Sequence, residues 1–120
     1  MSPRDTPLSS SARFAIEVAA WVAGPWAAAH LSGSGWVAIP TAVVLLALPS
    51  VFNVPGDKNV TGVAVQGTVR LSIELLLLVV AIGGAWSVWP AWLAVIVTVS
   101  GVVMITTGLD RYRWMLTQPE

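Results

Sequence analysis

Two pairs of opposite charges sit inside otherwise apolar stretches, Arg13 with Glu17 and Arg70 with Glu74. Side chains four apart share one face of a helix, and at 1.5 Å per residue each glutamate lies about 6 Å deeper than its arginine. An arginine reaches back to an interface along its own stem; a glutamate is too short to do so. A carboxylate at the centre of a membrane span costs on the order of 3 kcal/mol on insertion scales. Both glutamates are therefore expected to face other helices. Two kinds of chemistry fit. One is a buried ion-pair cluster that fixes helix register, with pairing either within each helix or crosswise between helices. The other is a ligand, proton or acid–base role, since two carboxylates brought together can share a proton and work as acid and base. Glu17 and Glu74 are thus the candidate acid/base residues.

Further charges fall where they can join such a site. Asp57 and Lys58 lie on the loop in the middle of the chain, and Asp110 and Arg111 follow its last apolar stretch. With Arg13 and Arg70 these are the candidate ligand-binding residues. The rest of the composition removes chemistry. There is no cysteine and only one histidine, so neither a thiolate nucleophile nor a metal centre is expected, and no cofactor is implied. His30 is expected at the opposite end from every carboxylate, which breaks any Ser-His-Asp arrangement. There is no phosphate-binding loop, and no basic run points to nucleic acid.

The elements that must position these residues are apolar. Of 120 residues, 56% are hydrophobic and 10% charged, and the mean hydropathy is +0.78. A soluble domain carries about 25% charged residues, so a soluble enzyme is excluded, as is a disordered chain. Crossing a bilayer takes about 20 apolar residues in a helix, and four stretches approach this, at 12–31, 36–52, 68–86 and 89–109. The expected fold is an all-α integral membrane protein, a four-transmembrane-helix bundle over 12–114. Residues 1–11 read as a flexible N-terminus, 53–67 as a loop and 115–120 as a tail. No cleaved signal peptide is expected, because the first stretch is long and carries Glu17.

Orientation follows from the basic residues. Arg4, Arg13, Lys58, Arg70, Arg111 and Arg113 all fall on one side of this arrangement, and the turns at 30–35 and 87–88 contain none. Lys and Arg collect on the cytoplasmic face, so both termini and the middle loop are expected there, with the protein multi-pass in a bacterial inner membrane. Trp26, Trp36, Trp86, Trp89 and Trp92 cluster at the outer turns and Trp114 at the inner end, as interfacial indoles do. Pro25, Pro40 and Pro49 interrupt the first two stretches; each frees a carbonyl that a neighbour must satisfy.

The chain also repeats itself. Arg13-Phe-Ala-Ile-Glu17 returns as Arg70-Leu-Ser-Ile-Glu74, 57 residues later. Each motif opens an apolar helix, a short Trp-bearing turn and a second apolar helix. This predicts two tandem helical hairpins, a 2+2 pseudo-repeat about an axis along the membrane normal. Thr98, Ser100, Gly101, Thr106, Thr107 and Gly108 in the last stretch are small enough for close helix packing, within one chain or in a homodimer. The 53–67 loop exceeds an ordinary bundle turn; it reads as a solvated turn or as a lid over a cytoplasm-facing pocket. Its Asn59-Val-Thr61 sequon is on the wrong side for use. Asp110 to Trp114 reads as a basic–aromatic anchor on an anionic leaflet, with Asp110 and Arg111 at the depth of the Arg–Glu pairs.

Two Arg-x-x-x-Glu helix starts, Phe52-x-x-Pro55 and four apolar stretches in a chain of this length resemble the YrdB-like family of small four-span bacterial membrane proteins. The resemblance covers roughly 12–114; Pro55-Gly-Asp-Lys58 makes the middle loop longer than in the simplest members. It implies a four-helix inner-membrane protein and supplies no reaction. The function expected is the binding of a lipophilic or small-molecule ligand in a cytoplasm-facing pocket lined by the Arg–Glu pairs, with the lipid bilayer as the other partner. The alternatives are a cofactor-independent membrane enzyme (isomerase, cyclase or hydrolase) using Glu17 or Glu74, and a small transporter or accessory subunit.

Overall fold

The computed structural model describes residues 6–53, 63–64 and 66–117. Among these the chain is helical apart from one two-residue pairing. Helix α1 runs Pro7–Ser32. It starts earlier than the sequence suggested, so residues 7–11 form its first turns rather than a loose segment. The reason is local: the Thr6 side chain accepts a bond from the Ser9 N–H at 3.0 Å, and Pro7 at the first helical position has a preset φ and no N–H to satisfy. The helix ends where Gly33 takes φ 73°, a left-handed conformation that suits glycine.

A 3₁₀ turn, Gly35–Val37, leads into α2, Ala38–Val51. At 1.5 Å per residue this 14-residue helix is about 21 Å long, short of a bilayer core of about 30 Å. Phe52–Asn53 then pairs in parallel with Val63–Ala64. Asp57 and Lys58, and the sequon at 59–61, lie outside the described residues. Helix α3 runs Gly67–Val88 and α4 Ala91–Thr107. The fourth expected span breaks at Gly108, where α5, Leu109–Leu116, departs at 58°. Two helices, α1 and α3, are therefore long and apolar enough to cross a membrane, and α4 with α5 makes a third if the bent pair is one span.

Packing is built on small residues. Ala12, Ile16, Ala19, Ala20, Ala23 and Ala27 form the buried stripe of α1, and Ile73, Leu77, Leu78, Ala81 and Ala85 that of α3. These repeat every three or four residues, the helical period, and their small side chains let the two backbones approach. The α1–α3 pair is the centre of the molecule; α4 packs on both helices, and α2 leans mainly on α1. Many large apolar side chains point outward, among them Phe14, Val22, Val79, Ile96 and Val99. Such a distribution suits a hydrocarbon solvent, which imposes no cost on exposed Leu or Val. The longest dimension is 42 Å, close to the roughly 40–45 Å of a bilayer with its headgroups.

Candidate functional site: a buried Arg70–Glu74–Arg111 cluster

Arg70 and Glu74 lie in the first two turns of α3, directly above the point where α2 ends and α5 turns back. Their spacing puts Arg70 Nε 3.0 Å from Glu74 Oε2. Arg111 on α5 approaches the same carboxylate from the other side. Its Nη1 donates to Oε1 and its Nη2 to Oε2, both at 2.8 Å. This parallel fork is the strong, directional form of the ion pair. All three side chains are at most 1% exposed.

Arg70 also closes the end of α2. Its Nη1 donates to the carbonyls of Pro49 at 2.7 Å and Phe52 at 3.1 Å. A helix leaves its last carbonyls without intrahelical partners, and a cation there is favoured by the helix dipole. The interior of α2 is closed by a residue that the sequence reading passed over. Pro49 has no N–H for the carbonyl four residues earlier, and Trp21 Nε1 donates to that Leu45 carbonyl at 2.9 Å. The signal was available: a proline inside an apolar helix demands a donor from a neighbour.

The tryptophans differ in exposure. Trp26, Trp36, Trp86 and Trp92 are more than half exposed, while Trp89 and Trp114 pack partly against the core. Trp86 Nε1 bonds Thr98 Oγ1 at 3.0 Å and ties α3 to α4.

The other candidates are placed differently. Arg13 and Glu17 face each other along α1 with Nε and Oε1 3.9 Å apart, and are 9% and 13% exposed. Among the described residues, Glu74 takes its partners from α3 and α5, not from Arg13. Arg111 thus joins the cluster. Asp110, one residue before it, does not: it is 94% exposed and lies 3.8 Å from Arg113. The 100° step between helical neighbours sends adjacent residues of α5 to different faces.

Among the described residues no group of His, Asp and Glu is arranged to hold a metal ion. An open groove of about 380 Å³ lies between α1 and α4, lined by Phe14, Ala15 and Val18 on one side and Leu93, Ile96 and Trp89 on the other. The Arg–Glu pairs do not line it. Among the described residues, Ser11 and Ser100 are its only hydroxyl-bearing lining residues. The molecule thus keeps apart a buried polar cluster of two guanidiniums on one carboxylate and an apolar groove open at the side. No family model, curated protein or solved structure matches this chain.

Proposed function

We propose that this chain is a small multi-pass protein of a bacterial inner membrane that binds a lipophilic ligand in the groove between α1 and α4. The carrying observation is the groove itself, apolar along its length and continuous with the exposed side chains of Val18 and Ile96. Its lining offers hydrocarbon contact and almost no hydrogen bonding, which selects an acyl or isoprenoid chain over a polar solute. In this reading all four apolar segments cross the bilayer. The short α2 does so because Arg70 and the Phe52–Asn53 pairing satisfy its inner end within the protein. In this reading both termini face the cytoplasm, which the placement of the basic residues supports.

The test uses the full chain in lipid nanodiscs with a photoreactive fatty acid. Labelling should concentrate on Phe14 and Leu93, fall when unlabelled lipid chain competes, and disappear in Ala15→Trp, which fills the groove. Uncompeted labelling spread equally over Leu76 and Val79 on α3 would remove the groove as a site. Topology has its own check. A reporter active only in the periplasm, fused after residue 120, should be silent.

Acid–base chemistry, as the second reading, rests on Glu17. Its side chain is 13% exposed against 1% for Glu74, which makes it the more accessible of the two carboxylates. A Glu17→Gln variant that folds normally and binds the same lipophile, with unchanged turnover of every lipophile tested, ends that reading.

A further inference from the structure

The cluster contains two guanidinium forks and one carboxylate. Nε–H and Nη2–H leave an arginine from the same edge of its plane, and that edge of Arg70 meets Glu74 through Nε. The complementary bond is missing: Arg70 Nη2 is buried and has no hydrogen-bond partner among the described residues. Glu74 has instead given both oxygens to Arg111. A buried donor left unpaired carries its full desolvation penalty, and a specific unsatisfied group of this kind calls for an explanation. Its natural relief is next to it, in the carboxylate already touching Nε.

The competing fork is held by a short element of its own. Helix α5 has eight residues and leaves α4 at 58°. It is seated by Arg111, Tyr112 and Met115, which are buried, while Leu109, Asp110, Arg113 and Leu116 are exposed. Its far end rests on the start of α3, where a Cβ on Gly67 would run into the Met115 carbonyl. An apolar face of this size with a basic residue also suits a headgroup interface.

We propose that α5 is a latch with two positions, set by exchange of the Glu74 carboxylate between Arg111 and Arg70. Docked, Arg111 holds the fork and Arg70 Nη2 goes unpaired. Undocked, Glu74 turns both oxygens to Nε and Nη2 of Arg70, and α5 moves to the membrane surface with Arg111. Glu74 keeps a fork in each position, so the bundle remains folded while the inner end of α3 around Gly67 is uncovered. Both positions satisfy the carboxylate, which is the condition for a bistable element. The inference is independent of the groove between α1 and α4.

The chain has no cysteine, so Ser32→Cys with Leu116→Cys gives a clean pair for spin-label distances across the full protein in nanodiscs. The otherwise wild-type chain should show two distances. Arg70→Lys, which lacks the forked edge, should lower the undocked fraction by about tenfold, and Arg111→Gln should make it dominant. A single distance in the wild-type background overturns the latch, and so does a shift of both variants in the same direction. If either variant does not fold, side-chain nitrogen NMR of the wild-type arginines replaces it. Two Arg70 environments exchanging with the two α5 positions support the exchange; one environment shared by both positions overturns it.

Discussion

The two Arg-x-x-x-Glu motifs have the same spacing and different fates. On α3 the pair closes to 3.0 Å and is fully enclosed; on α1 it stands at 3.9 Å with both side chains slightly exposed. Position within the helix explains the contrast. Arg70 is in the first turn of α3, so the end of α2 and the returning α5 can both reach it. Arg13 has almost two turns of α1 before it, because Thr6 and Pro7 start that helix early. A motif four residues long fixes which side chains share a face. What surrounds that face is set by how far the motif sits from the helix end.

The largest expected effect tests whether one carboxylate carries the α3 cluster. Glu74→Leu takes the carboxylate away from two buried guanidiniums and should cost about 3–5 kcal/mol in a detergent unfolding titration. Glu17→Leu should cost clearly less, since its carboxylate is 13% exposed and stands 3.9 Å from Arg13. Equal losses would erase the distinction between the two motifs. Arg111→Leu should also cost less than Glu74→Leu, because the unpaired Arg70 Nη2 is free to take over, and the Glu74→Leu/Arg111→Leu double variant should recover part of the single loss.

The next effect concerns the seat beneath the cluster. Gly67→Ala meets the Met115 backbone, which cannot rotate away as a side chain can. Overpacking of this kind costs about 1–3 kcal/mol and should loosen α5 first. Gly83→Ala on the same helix meets nothing within 4 Å and should leave melting unchanged or slightly raised. Similar melting temperatures for the two variants would show that α5 is not seated on Gly67.

A smaller effect separates the two ways in which α2 is closed. Trp21→Phe removes the donor to the Leu45 carbonyl and should cost about 1–3 kcal/mol, the penalty for an unpaired buried acceptor. In a Pro49→Ala background the new N–H restores the intrahelical bond, so Trp21→Phe should cost much less there. Full additivity of the two substitutions would mean that the indole bond does not compensate the proline. The smallest effect is at the surface. Asp110→Asn breaks only an exposed pair at 3.8 Å and should change melting by no measurable amount.

The all-helical class, two or three apolar helices long enough to span a membrane, and the buried setting of the Arg–Glu pairs were legible in the sequence. They depend on composition and on the 3.6-residue period, both of which are local. The break at Gly108 was harder to read, because the apolar run continues to Leu109 and only the following Asp-Arg-Tyr-Arg marks a change of face. The repeat predicted equivalent surroundings for the two pairs. The structure gives them unequal ones, since no rule of spacing says which neighbour arrives at a helix end.

The sequence by itself determined that this chain forms helices apolar enough to span a membrane and that each glutamate has a cation one turn away, because composition and helical geometry act residue by residue. Only the tertiary structure decided that Arg111 completes Glu74, that Trp21 satisfies the carbonyl freed by Pro49, and that the open groove is apolar and lies away from the charges. Each of these joins residues tens of positions apart. Their meeting follows from the docking of whole helices, in which many weak contacts between small side chains fix the angles.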